Sequence, residues 1–135
     1  MKYPAIFVLF PFFIVLFSCD SDDEPPHPMV GVWQILQVFQ QGEALLLDNC
    51  AMLTTSEFRA EGIFFEKRFS KRILGCSLNN ESGTWVETGE NIVRITYDNG
   101  TSDFQNIKFT ISDSKMTLTD GDGSKNFVIV LRKVE

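Results

Sequence analysis

From residue 29 onward the chain is interrupted by turn signals at short intervals, and no ten-residue stretch carries the apolar period of an amphipathic helix. The segments 31–40, 53–59, 63–72, 83–87, 91–97, 102–111, 115–119 and 126–134 read as eight strands. Between them lie Gln41-Gly42-Glu43, the three-residue hairpin Ala60-Glu61-Gly62, Thr88-Gly89-Glu90, the Asn99-Gly100 pair, Ser112-Asp113-Ser114 and the polar run 120–125. Asn99-Gly100 is the strongest hairpin signal, because a type I′ turn wants positive φ at both central residues. Residues 44–50 read as an irregular cover in which Asp48 caps a short helical turn, and 75–81 as a polar loop. Eight strands on short connections form an antiparallel meander, which either closes or leaves two edges open. The expectation is an all-β fold, a small eight-stranded antiparallel up-and-down barrel.

Alternation assigns the faces. Val93, Ile95 and Tyr97 share one face, as do Ile107, Phe109 and Ile111. In 63–72, Ile63, Phe65 and Phe69 share one face while Glu66, Arg68 and Ser70 share the other. Phe65, Phe69, Tyr97 and Phe109 are therefore the candidates for lining the interior. The basic cluster Lys67, Arg68, Lys71 and Arg72 then reads as the outward face of a strand. Trp85 stays unassigned.

The first eighteen residues are of a different kind. Lys2 precedes an apolar run of thirteen residues, 5–17. That is shorter than the roughly 20 residues of a membrane span and has the form of a cleavable export signal. It ends in Leu16-Phe17-Ser18-Cys19, which resembles a bacterial lipobox, although Phe17 is bulkier than such boxes usually carry. The resemblance implies a signal peptide over 1–18 and lipidation of Cys19; the alternative is an ordinary secretory signal with a chance cysteine. Residues 19–28 then form a tether. Its acidic run, Asp20-Ser21-Asp22-Asp23-Glu24, resembles the surface-export tag of some Gram-negative lipoproteins; it reads equally as a solvated spacer. Pro25-Pro26-His27-Pro28 is stiff and extended. The expected address is the bacterial outer membrane, lipid-anchored and surface-exposed.

What remains, 29–135, is one domain by size. Without Lys2 the chain carries eleven basic against eighteen acidic residues, a net −7. Such a balance lacks the electrostatic footprint of nucleic-acid binding. Cys50 and Cys76 are the other cysteines, and the oxidising compartment that export implies makes them a disulfide pair. A thiol nucleophile or zinc site lacks support, since the one histidine, His27, lies in the tether and no CxxC pair exists.

Gly31-Val32-Trp33 heads the first strand, and Arg132 stands near the end of the last. With the cysteine pair and Gly83-Thr84-Trp85, these residues resemble the G-x-W signature of compact lipocalin-like domains on bacterial outer-membrane lipoproteins. The resemblance implies that Arg132 lies across the Trp33 ring at the closed end of a barrel, a cation–π contact. It also implies a small apolar or amphipathic ligand inside. The T-D-x-Y element and the C-terminal helix of true lipocalins are missing.

Other patterns carry less. Asp120-Gly121-Asp122-Gly123 is rich in oxygen, but Leu131 stands where an EF-hand loop needs its glutamate, so a turn is expected and no metal site. The sequons at Asn80 and Asn99 read as turns. Without a histidine in the domain the usual nucleophile–base pairs are missing, so neither an enzyme nor a cofactor is expected. Two functions remain: a membrane-anchored barrel that binds a small ligand, or a rigid module that binds a protein or glycan, or inhibits an enzyme, through its loops.

Overall fold

The computed structural model describes residues 24–100, 103–121, 123 and 126–135. The signal, Cys19 and most of the acidic run lie outside the described residues, as do Thr101, Ser102 and Asp122. Among the described residues nine strands follow one another: β1 (Gly31–Gln40), β2 (Glu43–Leu45), β3 (Thr55–Phe58), β4 (Ile63–Arg72), β5 (Gly75–Gly89), β6 (Ile92–Tyr97), β7 (Asp103–Ser112), β8 (Lys115–Asp120) and β9 (Phe127–Lys133). All pairings are antiparallel between neighbours, and β1 also pairs with β9, which closes the sheet. The closed ring has eight strands. β2 is an added ribbon that pairs with the far end of β1, where Gln41 (φ 53°) and Gly42 (φ 84°) make the turn.

Two local expectations need correcting. Residues 75–81 are not a loop: β5 runs unbroken from Gly75, paired with β4 through Arg72 opposite Gly75. The polar residues up to Asn80 are tolerated because this ribbon extends past the barrel and is largely exposed to water. Its turn places Ile73 and Leu74 fully in solvent. At Asn99-Gly100, Gly100 takes a positive φ of 64° and Asn99 does not, so this is not type I′. Positive φ at both turn positions is found instead at Asp113-Ser114 and at Gln41-Gly42.

One end of the barrel is solid. Met29, Trp33, Phe58, Phe64, Val93 and Met116 are the largest side chains almost wholly removed from water. The Trp33 indole N–H donates to the Met29 carbonyl at 2.7 Å, and the Trp85 indole, also inward, donates to the Arg59 carbonyl at 2.9 Å. His27 does not belong to a free spacer. It packs on Trp85 and Phe109, with ring centroids 5.0 and 5.6 Å away, and its Nε2 lies 3.3 Å from Glu87. The chain thus enters the barrel across its closed end.

The glycine of the G-x-W motif has a steric reason. Gly31 has φ +137°, and a Cβ there would sit 2.5 Å from the Glu135 carbonyl oxygen. The C-terminus crosses at that point, and Val32 N–H donates to the same carbonyl at 2.8 Å.

Candidate functional site

Above the solid end the barrel is hollow, with a cavity of about 330 Å³. A ladder of aromatic rings climbs its wall from Phe58 through Phe64, Tyr97 and Phe104 to Phe127, each step 5.1–6.1 Å between centroids and mostly edge-on. Edge-to-face steps of this kind are the favoured aromatic geometry. Ile35, Ile95, Leu118 and Leu131 complete the apolar lining. Phe104 and Ile107 both point inward because a bulge in the β6–β7 pairing, with Asn106 at φ 56°, inserts a residue between them.

Next to the ladder, on the same strands β3 and β4, the wall turns polar. Glu66 and Arg68 of β4 line the cavity with Tyr97, Thr54 and Ser56. The Arg68 guanidinium bonds Glu66 and reaches Glu81 of β5 at 3.3 Å. The Tyr97 hydroxyl lies 3.3 Å from the same Glu66 oxygen. Glu66 and Glu81 keep only 13% and 14% side-chain exposure, whereas Arg68 keeps 48%, which puts the cluster at the mouth. Burial raises the Glu66 carboxyl above its ordinary 4.5, outweighing the pull of Arg68. Burial and then the Glu66 charge push the Tyr97 phenol far up, so it stays a neutral donor. Burial would lower Arg68, but the two carboxylates outweigh it and hold the guanidinium protonated.

These positions correct the face assignment of β4. Phe64, Glu66 and Arg68 point inward, and Phe65 points out, where the Arg59 guanidinium stands 4.5 Å from its ring and bonds Glu57. Register decides this: Phe58 and Ser56, both buried on β3, oppose Phe64 and Glu66. Of the four lining candidates, Tyr97 and Phe69 line the cavity. Phe69 does so from the rim, beside the 3-10 turn Ala51–Leu53, its N–H bonded to Thr54 Oγ1 at 3.1 Å. Phe109 is buried in the solid end instead.

The cation over Trp33 is Lys133, its Nζ 5.6 Å from the ring, and not Arg132. Parity explains the exchange. Trp33 pairs with Lys133, whereas Arg132 pairs with Gln34 on the outer face and donates two hydrogen bonds, at 3.1 and 2.6 Å, to its Oε1. Arg132 still ties the first strand to the last, but outside the barrel.

Cys50 and Cys76 form a disulfide with Cα atoms 5.4 Å apart. It joins the segment leading into the 3-10 turn to the start of β5. Asp48 prepares that turn, its Oδ1 accepting from the Cys50 and Ala51 N–H groups at 2.9 and 2.8 Å. Since Ala51 and Thr54 line the cavity, the bridge fastens one side of the mouth to the projecting ribbon. Among the described residues no three His, Cys, Asp or Glu side chains gather as a metal ion would need.

The closed eight-stranded antiparallel barrel is solid at one end and hollow at the other, a size of barrel that can hold one small ligand. A family model described as a lipocalin-like domain matches residues 29–118, more than half of the chain, and the protein belongs to that family. The match stops before β9, the strand that closes the barrel. No curated protein is similar enough to count as a match.

Proposed function

We propose that this protein is a lipid-anchored lipoprotein of the bacterial outer membrane whose barrel binds a small apolar or amphipathic molecule. The observation that carries the binding half is the 330 Å³ cavity with mainly apolar walls, which falls within the range of small-molecule sites. Taking the ~30 Å³ that one water occupies in the liquid as a gauge for a heavy atom, it admits about eleven. Binding rather than chemistry is the role such a barrel supports, by analogy of fold. The anchoring half rests on the lipobox resemblance ending at Cys19. Because the chain enters over the closed end, a lipid on Cys19 leaves the mouth at the opposite end, facing away from the bilayer.

Native mass spectrometry of protein taken from its own membranes tests the binding half, with uptake of an anilinonaphthalene dye as a second readout. A retained small molecule, or dye uptake that Ile95→Trp blocks by filling the cavity, is the expected result. A bare mass together with no dye uptake would remove the ligand reading.

One observation favours the interaction reading. Ile73 and Leu74 stand fully in solvent at the tip of the β4–β5 ribbon, with Lys71 and Arg72 beside them and exposed Leu46 in the disulfide-linked segment. An apolar tip so exposed suits a protein partner. Ile73→Ser/Leu74→Ser should leave dye uptake unchanged and abolish any such capture.

A further inference from the structure

The charge of the mouth selects among amphipathic ligands. This inference rests on the cavity-binding reading above. Among the described residues, the ionisable groups that face the cavity's polar wall are Glu66 and Arg68 from β4, Glu81 from β5 and Tyr97 from β6; β3 contributes the neutral Ser56 opposite Glu66. Arg68 is the one cation among them, and it is shared between two carboxylates. With Tyr97 neutral, the cluster carries a net charge of about −1 at neutral pH. Lys67, Lys71 and Arg72 stand on exposed parts of β4 and do not line the cavity.

A carboxylate arriving at this wall would meet a guanidinium already engaged twice and two like charges beside it. An ammonium would meet Glu66, a carboxylate held largely out of water with one cation between two anions. It would bring the cluster to neutrality. We propose that the cavity is selective for amphipathic amines: an apolar body of about ten heavy atoms along the aromatic ladder, with its ammonium against Glu66. Fatty acids of the same length are disfavoured. The raised Glu66 carboxyl adds a direction in pH, since the preference for amines fades as Glu66 takes up its proton in acid.

Isothermal titration of the purified protein with decylamine, decanol and decanoate at neutral pH tests this, each below its micelle concentration. The expected order is decylamine at least about tenfold tighter than decanol, with decanoate weaker than decanol. Glu66→Gln should bring decylamine to within about threefold of decanol measured on the same variant. Arg68→Gln is the second variant, in case the first misfolds: it should tighten decylamine and weaken decanoate further. Three equal affinities, or decanoate binding best, would overturn the amine selectivity and leave the cavity reading standing. If none of the three binds, the cavity reading falls and the selectivity with it.

Discussion

Breaking the Cys50–Cys76 bridge is the perturbation whose size the structure fixes best. The cysteines are 26 residues apart, and the loop-entropy relation for that length gives about 3.5 kcal/mol at 25 °C. The full amount is realised only if the folded state stays ordered without the bond, since any new freedom in the native loop offsets the gain of the unfolded chain. Order should persist here. Gln34 Nε2 donates to the Met52 carbonyl at 2.8 Å, Ile35 N–H to Thr54 O at 3.0 Å, and Phe69 N–H to Thr54 Oγ1 at 3.1 Å. Near a hundred residues, each kcal/mol moves the melting temperature by about 4–8 °C, so the expected fall is about 14–28 °C. Calorimetry of the oxidised protein, the reduced protein and the Cys50→Ser/Cys76→Ser double variant measures it, and the last two should coincide. A fall below about 5 °C, with the far-ultraviolet spectrum unchanged, would refute the reasoning that an ordered native loop survives reduction.

Four further outcomes are expected. Trp33→Ala should cost about 3–5 kcal/mol in urea denaturation. Double-mutant cycles should couple Trp33 to Lys133 by about 0.5–1 kcal/mol and to Arg132 by nearly nothing; the reverse ranking would mean the strand parity is wrong. Because burial raises Glu66, its neutral form is the one the fold favours: that stability is full below the ordinary 4.5 and is lost as pH rises through the folded value. Glu66→Gln should therefore melt higher than the parent at neutral pH, and the gain should vanish in acid; a constant difference across pH would count against it. Cys19→Ala should shift the protein from the membrane fraction to the soluble one, and a variant that still sediments with outer membrane would end the lipoprotein proposal.

The rhythm of the barrel was legible because each signal is local. Gly62, at φ 78°, closes the three-residue hairpin read at Ala60-Glu61-Gly62, and Phe58 duly opposes Phe64. Val93, Ile95 and Tyr97 lie buried as their alternation requires, and the G-x-W tryptophan is buried beside the last strand. The cysteine pairing followed from assigning Cys19 to the lipid and from the oxidising compartment that export implies. Position 132 against 133 was not legible, because both are cations and the choice between them is a matter of register, which two strands nearly a hundred residues apart set between themselves.

The mouth was missed for a deeper reason. Periodicity assigns a strand's inner face to its more apolar set, and in β4 that set is Ile63, Phe65 and Phe69 against Phe64 alone. The rule assumes an interior that tolerates no charge. Here the inner set is Phe64, Glu66 and Arg68, acceptable because Arg68 bonds both Glu66 and Glu81 and Tyr97 reaches the same carboxylate. A slip of one residue would bury Phe65 and Phe69 and release every one of those charges to water, a gain by any count of apolar area. The β3–β4 register decides against it: Phe58 stands opposite Phe64 and Ser56 opposite Glu66, so turning β4 over in that register would turn Phe58 and Ser56 out of the barrel as well. The one strand whose pattern argues for the opposite face is thus the strand that carries the ionisable wall of the cavity. In a fold otherwise consistent from turn to core, such a conflict is where a binding site is to be sought.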